Sequence, residues 1–151
     1  MDNFLQLAPT IETAILSTRP ERVLEISAHS PKYGRLIADC QKRLNIQNPV
    51  IDRVIPEDLH NETCEQVYTR ILPVGTLDNL ENIESYDFIL VLNLLENMDS
   101  DQAHALVQTL CAKAKLQLLV VLPGSPFNFL SEVLSEDNFY SGSPAQFLDF
   151  D

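Results

Sequence analysis

The residues most able to do chemistry lie between Arg22 and Gly34, where an apolar run is followed by a tight loop and the start of a helix. A strand, a loop and a helix in this order commonly hold nucleotide-type cofactors in open α/β sheets, because glycines there let the backbone approach the ligand. Here Glu25 supplies a carboxylate, Ser27 a hydroxyl and His29 an imidazole, and no glycine precedes Gly34. The outline predicts a cofactor site, whereas the contents of the loop disfavour a close-fitting cradle.

Each of these side chains also has a purely structural interpretation. Glu25, at the end of a strand, can cap backbone amides of the loop that follows. We expect His29 to face solvent rather than to act as a base, since no carboxylate lies nearby in sequence to orient it. His60 and His104 have no partner at metal-ligand spacing, so the sequence predicts no metal site. No Ser-His-Asp order, P-loop or HExxH string is present.

Length and charge limit the classes of function. The chain has 151 residues, which predicts one domain over residues 1–151. Its net charge of −12 disfavours binding to nucleic acid or to an anionic membrane, since both require a positive patch. The three cysteines are widely spaced, which favours reduced thiols. With no signal peptide pattern and no apolar stretch near the ~20 residues that span a bilayer, we expect a cytoplasmic protein.

Apolar runs alternate with helical patterns along most of the chain, which indicates a parallel sheet with crossover helices. Residues 88–92 and 118–122 are continuous apolar runs, typical of strands covered on both faces. Tyr68 and Arg70 alternate with apolar residues, which suits an edge strand exposed on one side. The predicted strands are residues 23–26, 50–55, 67–72, 88–92 and 118–122, and the predicted helical segments are residues 11–16, 31–44, 57–66, 103–114 and 127–134.

Three stretches carry a resemblance to a known family. Residues 24–37 read LEISAHSPKYGRLI, which is similar to a first motif of the form LDIGxGxGKYGxLL. Residues 86–98 read YDFILVLNLLENM, which is similar to YDLVLxxxVLEHM after a fourth strand. Residues 118–123 look like a final core strand that ends in proline. In order and spacing, over about residues 22–124, the chain resembles the class I S-adenosylmethionine-dependent methyltransferases.

The resemblance implies an α/β fold, a doubly wound, Rossmann-like methyltransferase core. Its five mainly parallel strands would run in the order 3-2-1-4-5. Full members of the family continue past the fifth strand with two more, and we expect the chain here to lack that full C-terminal hairpin. The implied cofactor is S-adenosylmethionine, without a metal.

The resemblance also implies where cofactor contacts would lie, and most of those positions have changed. Ser27, His29 and Pro31 stand where the family has glycines, and Glu25 alone keeps the family's acidic side chain. The acid that binds the ribose corresponds to Arg53, or to Asp52 if the register moves by one residue. The acid that binds adenine corresponds to Thr76. The candidate cofactor contacts are Glu25, Ser27, Ala28, His29, Asp52, Arg53, Thr76 and Asn93, and no catalytic residue is assigned.

Two hypotheses follow for function. Each lost buried hydrogen bond to a ligand costs about 1–3 kcal/mol, so several losses together would weaken cofactor affinity by orders of magnitude. We therefore favour a methyltransferase-like protein with weak or lost cofactor binding, which serves as a non-catalytic module that binds a protein partner. The alternative is an active methyltransferase that acts on a small molecule or a glycan precursor.

The fifth predicted strand raises a separate expectation. Residues 118–122 carry no charge or proline that would protect a sheet edge, and bare apolar edges invite pairing. We expect the tail over residues 145–150 to cover this edge. Self-association of two subunits through the same edge, in a homodimer, is the alternative.

Overall fold

The fold is known from a computed structural model that describes residues 4–27, 31–55, 67–95, 98–123 and 145–150. Within these ranges the chain forms three α-helices, six strands and two short 3₁₀ turns, at Val74–Asp78 and Leu80–Asn82. The helices are α1 (Phe4–Thr18), α2 (Lys32–Arg43) and α3 (Ser100–Lys113). The strands are β1 (Arg22–Ile26), β2 (Val50–Val54), β3 (Arg70–Leu72), β4 (Tyr86–Leu92), β5 (Ala114–Pro123) and β6 (Ala145–Phe150).

The strands form one sheet in the order β3-β2-β1-β4-β5-β6, and every neighbouring pair is parallel. The predicted order 3-2-1-4-5 is therefore confirmed. It follows from the long crossovers between successive strands, which parallel pairing requires.

The tail adds a sixth strand to the five that were predicted. β6 pairs with β5 from Leu118 opposite Ala145 to Pro123 opposite Phe150. This is the arrangement expected from the unprotected apolar edge of β5, because the tail supplies the missing hydrogen-bonding partner. Self-association through this part of the sheet stays a prediction.

Successive residues of each strand point to opposite faces of the sheet, so the core has two halves. One half, here called the α1–α2 face, packs strand residues such as Val23 and Leu90 against Ile15 of α1 and Ile37 of α2. The other, the α3 face, packs residues such as Leu24 against α3. The strands and α3 contribute these buried core residues: Val23, Leu24, Ile26, Ile89, Leu90, Val91, Leu106, Leu110, Leu119, Val120 and Val121.

The third strand differs from its prediction. β3 covers only Arg70–Leu72, and Tyr68 is 5% exposed rather than on an open face. Ile71, expected to point inward, is 39% exposed. The side chain of Tyr68 is buried because its ring packs in the core and its hydroxyl donates a hydrogen bond to the buried Glu25. The predicted helices at 57–66 and 127–134 lie outside the described residues.

Helix α3 shows how local chemistry sets an element boundary. The side chain of Asp99 accepts a hydrogen bond from the backbone N–H of Gln102. In return, the side-chain oxygen of Gln102 accepts one from the backbone N–H of Asp99. This capping box satisfies donors that the first helical turn leaves unpaired.

In the part of the chain that the structure describes, none of the helices has the length and hydropathy that a membrane crossing requires.

Candidate functional site

The candidate site lies at the carboxyl ends of β1 and β2. The register places Glu25 of β1 opposite Arg53 of β2, so both side chains lie on the α1–α2 face. Glu25, Ser27 and Arg53 are all fully buried. The structure therefore brings together three of the residues that the sequence singled out.

Both oxygens of the Glu25 carboxylate are engaged by groups of this chain. The hydroxyl of Tyr68 donates to Oε1 over 2.7 Å, and the hydroxyl of Ser27 donates to Oε2. Nε of Arg53 lies 3.8 Å from Oε2. Hydrogen bonds and a cation together compensate a carboxylate that burial would otherwise destabilise.

Arg53 is the largest side chain among the fully buried residues that the structure describes. Its Nη2 lies 3.4 Å from the carbonyl oxygen of Ser27 and 3.5 Å from the hydroxyl oxygen of the same residue. The guanidinium carbon lies 5.1 Å from the centre of the Tyr68 ring, within the range of a cation–π contact. The guanidinium is thus held by the same two residues that hold Glu25.

Tyr68 closes this network from the segment before β3. Its ring packs against α2 at Gly34. A Cβ added to Gly34 would lie 2.6 Å from both Cζ and the hydroxyl oxygen of Tyr68. Only a glycine leaves that room. The one glycine of the cradle motif therefore admits a tyrosine of the chain itself. We name the network of Glu25, Ser27, Arg53 and Tyr68 the Glu25 cluster.

Burial dominates the electrostatics of the cluster. The pKa of Glu25 is raised from its ordinary value of 4.5, because desolvation disfavours the charged form. The hydrogen bond from Ser27, the charge of Arg53 and the hydrogen bond from Tyr68 oppose that rise without cancelling it. Each oxygen of this carboxylate already accepts one hydrogen bond within the fold, so a ligand that bound there would share the oxygens with Ser27 and Tyr68.

Asp52 occupies a different site. It lies opposite Leu24 in the register, so its side chain points to the α3 face, away from Glu25. Oδ2 accepts from the Tyr86 hydroxyl over 2.6 Å and from Nη2 of Arg70 over 2.7 Å. Arg70 also lies 3.5 Å from Glu84. We name Asp52, Arg70, Glu84 and Tyr86 the Asp52 cluster.

The two groups bound to Asp52 respond to it electrostatically. The pKa of Tyr86 is raised above its ordinary range, first because the phenol is desolvated and then because it donates to Asp52. The pKa of Arg70 is also raised, chiefly because its guanidinium donates to the same carboxylate. Both groups keep their protons at neutral pH, which makes this cluster a structural connection between strands.

The remaining candidate contacts are placed separately. Thr76 is partly exposed in the first 3₁₀ turn, where its backbone N–H donates to the carbonyl of Pro73 over 2.9 Å. Asn93 follows β4 with a left-handed φ of 53°, and its N–H donates to the carbonyl of Val121 over 3.1 Å. Ala28 and His29 lie outside the described residues. Among the residues that are described, no group of three or more metal-ligating side chains could hold an ion.

Tyr68 is the site residue that sequence reasoning missed. Its alternation with apolar neighbours predicted an exposed strand position, whereas its hydroxyl is committed to Glu25. One signal was present in the sequence. Gly34 interrupts an otherwise amphipathic helix, and an isolated glycine within such a pattern often marks the close approach of another group.

Comparison with solved structures identifies the fold. No known family and no curated protein matches the sequence. A SAH-bound methyltransferase of Podospora anserina superposes with a TM-score of 0.55 at 15% identity, over 78% of this chain and 50% of that one. The SAH-bound magnesium protoporphyrin IX methyltransferase of Synechocystis superposes with a TM-score of 0.54 at 11% identity, over 99% of this chain and 73% of that one.

The chain thus has the fold of a class I S-adenosylmethionine-dependent methyltransferase, and it spans only half the length of the Podospora enzyme. The identities are too low to extend the likeness beyond the fold. The described residues themselves fit S-adenosylmethionine poorly. Each oxygen of the Glu25 carboxylate already accepts a hydrogen bond from this chain, and Arg53 places a buried guanidinium where the resemblance calls for an acid.

Proposed function

We propose that this protein is a methyltransferase-like module that has lost high-affinity binding of S-adenosylmethionine and serves as a non-catalytic binding partner of another protein. One observation carries the proposal. Glu25, which keeps the family's acid at the end of β1, accepts one hydrogen bond on each carboxylate oxygen, from Ser27 and Tyr68 of the same chain, and has Arg53 beside it. The chain supplies internally the cation and the donors that a carboxylate in this place requires.

The energetic cost of reopening the cluster supports the same conclusion. A ligand that used Glu25 would have to displace Arg53 or Tyr68 from a fully buried position. Breaking a buried ion pair costs roughly 3–5 kcal/mol, which corresponds to about two to four orders of magnitude in a dissociation constant. The displaced guanidinium would also need a new partner.

The alternative is an active methyltransferase on a small molecule or a glycan precursor. It is favoured by the retained acid at the end of β1, within a fold shared with SAH-bound enzymes. Under this alternative the cofactor would contact the chain mainly through backbone groups, since Glu25 is engaged.

Titration calorimetry with S-adenosylmethionine and S-adenosylhomocysteine on the purified full chain separates the two. We expect no binding heat at micromolar concentrations. A dissociation constant at or below about 10 μM, or roughly −7 kcal/mol, would contradict the proposal. If heat is observed, a Glu25→Gln variant tests whether the carboxylate is used, since that substitution removes the charge and keeps the shape.

A further inference from the structure

A groove crosses the α3 face between the 3₁₀ turns and helix α3. Its floor is apolar and includes Leu77, Leu80, Met98 and Leu106, and its rim on the side of the turns carries Asp78 and Glu81. We call it the α3 groove. Its volume of about 350 Å³ lies within the range of sites that hold ligand groups.

The floor of the α3 groove extends the core to the surface. Leu80 and Leu106 are buried members of the core on this face, and Leu77 and Met98 pack against it while partly exposed. Methionine adapts its shape to different apolar partners at low cost. The groove thus offers Leu77 and Met98 to an apolar side chain that arrives from outside, and Gln102 and Thr109 of α3 also line it.

The rim of the groove is negatively charged. Asp78 and Glu81 are both exposed, and no lysine or arginine is among the described residues that line the groove. Lys113 is nearby at one end, where its ammonium donates to the backbone carbonyl of Glu81 over 2.9 Å. The chain as a whole carries a net charge of −12. An apolar partner that carried positive charge would therefore be attracted over a distance and held at the rim.

We infer that the α3 groove docks a basic amphipathic helix of a partner protein, with apolar side chains on its floor and lysine or arginine side chains beside Asp78 and Glu81. This inference rests on the proposed role as a partner-binding module, and it names the surface and the chemistry of the partner. Helix-in-groove recognition uses the same combination of apolar anchors and flanking charge. A second copy of this chain is a poor occupant, because two acidic rims would repel.

The probe for the test is a synthetic 14-residue helical peptide of leucine and lysine, labelled for fluorescence anisotropy. Its matched partner has glutamate in place of every lysine. We expect the basic peptide to bind and the acidic one to bind at least ten times more weakly, by about the effect of a few exposed charge pairs. Amide shifts measured by NMR should change along the α3 groove rather than on the α1–α2 face.

Two double variants with equal loss of charge locate the binding. Asp78→Asn with Glu81→Gln should weaken the basic peptide about tenfold, as expected for two lost exposed pairs. Glu21→Gln with Asp39→Asn, at exposed positions elsewhere, should change affinity less than twofold. Equal losses in both double variants would mean general attraction to an acidic protein and would overturn the inference.

The remaining outcomes also decide. Equal binding of the acidic peptide would show an apolar pocket without charge selection, and shifts confined to another surface would place the partner elsewhere; either overturns the inference. Calorimetry with S-adenosylhomocysteine on the same preparation separates the two proposals. Cofactor binding there would contradict the non-catalytic role, whereas rim variants without effect and no cofactor binding would contradict only the groove.

Discussion

Two buried carboxylates on adjacent strands show how differently one fold can compensate the same charge. Glu25 and Asp52 are both fully buried, but on opposite faces of the sheet. The partners of Glu25 are buried with it, whereas Asp52 relies on Arg70, whose side chain is 50% exposed. The Glu25 cluster is a closed unit, and the Asp52 cluster is an anchor for surface groups.

The difference teaches where each cluster can change. Water and salt reach the guanidinium of Arg70, so they screen its attraction to Asp52. Neither reaches Arg53, so the pair with Glu25 must remain complete or be removed completely. Because Arg53 lies beside Glu25, the charge of this carboxylate is already compensated before any ligand approaches.

The largest effect should follow from removing the buried cation. Arg53→Met leaves Glu25 buried without its charge partner, which should lower the free energy of unfolding by about 3–5 kcal/mol. Adding Glu25→Gln should recover most of that loss, because the uncompensated charge is gone. Urea denaturation at neutral pH measures both. A double variant as unstable as the single one would mean that packing, not charge, holds Arg53 in place.

The next effect concerns the approach of Tyr68 to α2. Gly34→Ala places a Cβ 2.6 Å from the Tyr68 ring and should lower the free energy of unfolding by about 1–3 kcal/mol, as overpacking does. Gly75→Ala is the matched control, since nothing lies within 4 Å of its added Cβ. Thermal unfolding of both variants tests the contrast. Equal stability would show that the ring moves aside freely.

A smaller effect is expected in the Asp52 cluster. Arg70→Met removes a half-exposed guanidinium, while the Tyr86 hydroxyl still donates to Asp52. The loss should be about 1 kcal/mol, because solvent screens such a pair, and it should shrink in high salt. Urea denaturation at two salt concentrations provides the measurement. A loss as large as that of Arg53→Met would remove the distinction between the clusters.

The smallest expected effect is a change in pH dependence. Because the pKa of Glu25 is raised in the folded state, the folded protein binds this proton more tightly than the unfolded chain. That contribution to stability is complete below the ordinary value of 4.5 and is lost as pH rises through the folded-state pKa. The stability of the natural protein relative to Glu25→Gln should therefore decline as the pH rises above about 4.5. Parallel profiles would contradict the raised pKa.

The sheet was readable in the sequence because its signals are local. The continuous apolar runs of β4 and β5 identify strands covered on both faces. Strand order follows from general rules for crossovers. The prediction for the third strand was wrong at Tyr68. The hydroxyl of Tyr68 donates a hydrogen bond to Glu25, which is 43 residues away in sequence, and no local pattern reports such a contact.

By itself, the sequence determined the fold class, the buried strands, and the absence of glycine between β1 and Gly34. Only the tertiary structure decided that Arg53 pairs with Glu25 while Asp52 faces away, since a shift of one residue in the register would exchange them. It also decided that Tyr68 fills the space beside Gly34. Composition and periodicity describe each segment separately, but contacts between side chains depend on how the segments are aligned and packed, and that alignment decides whether a carboxylate is available to a ligand.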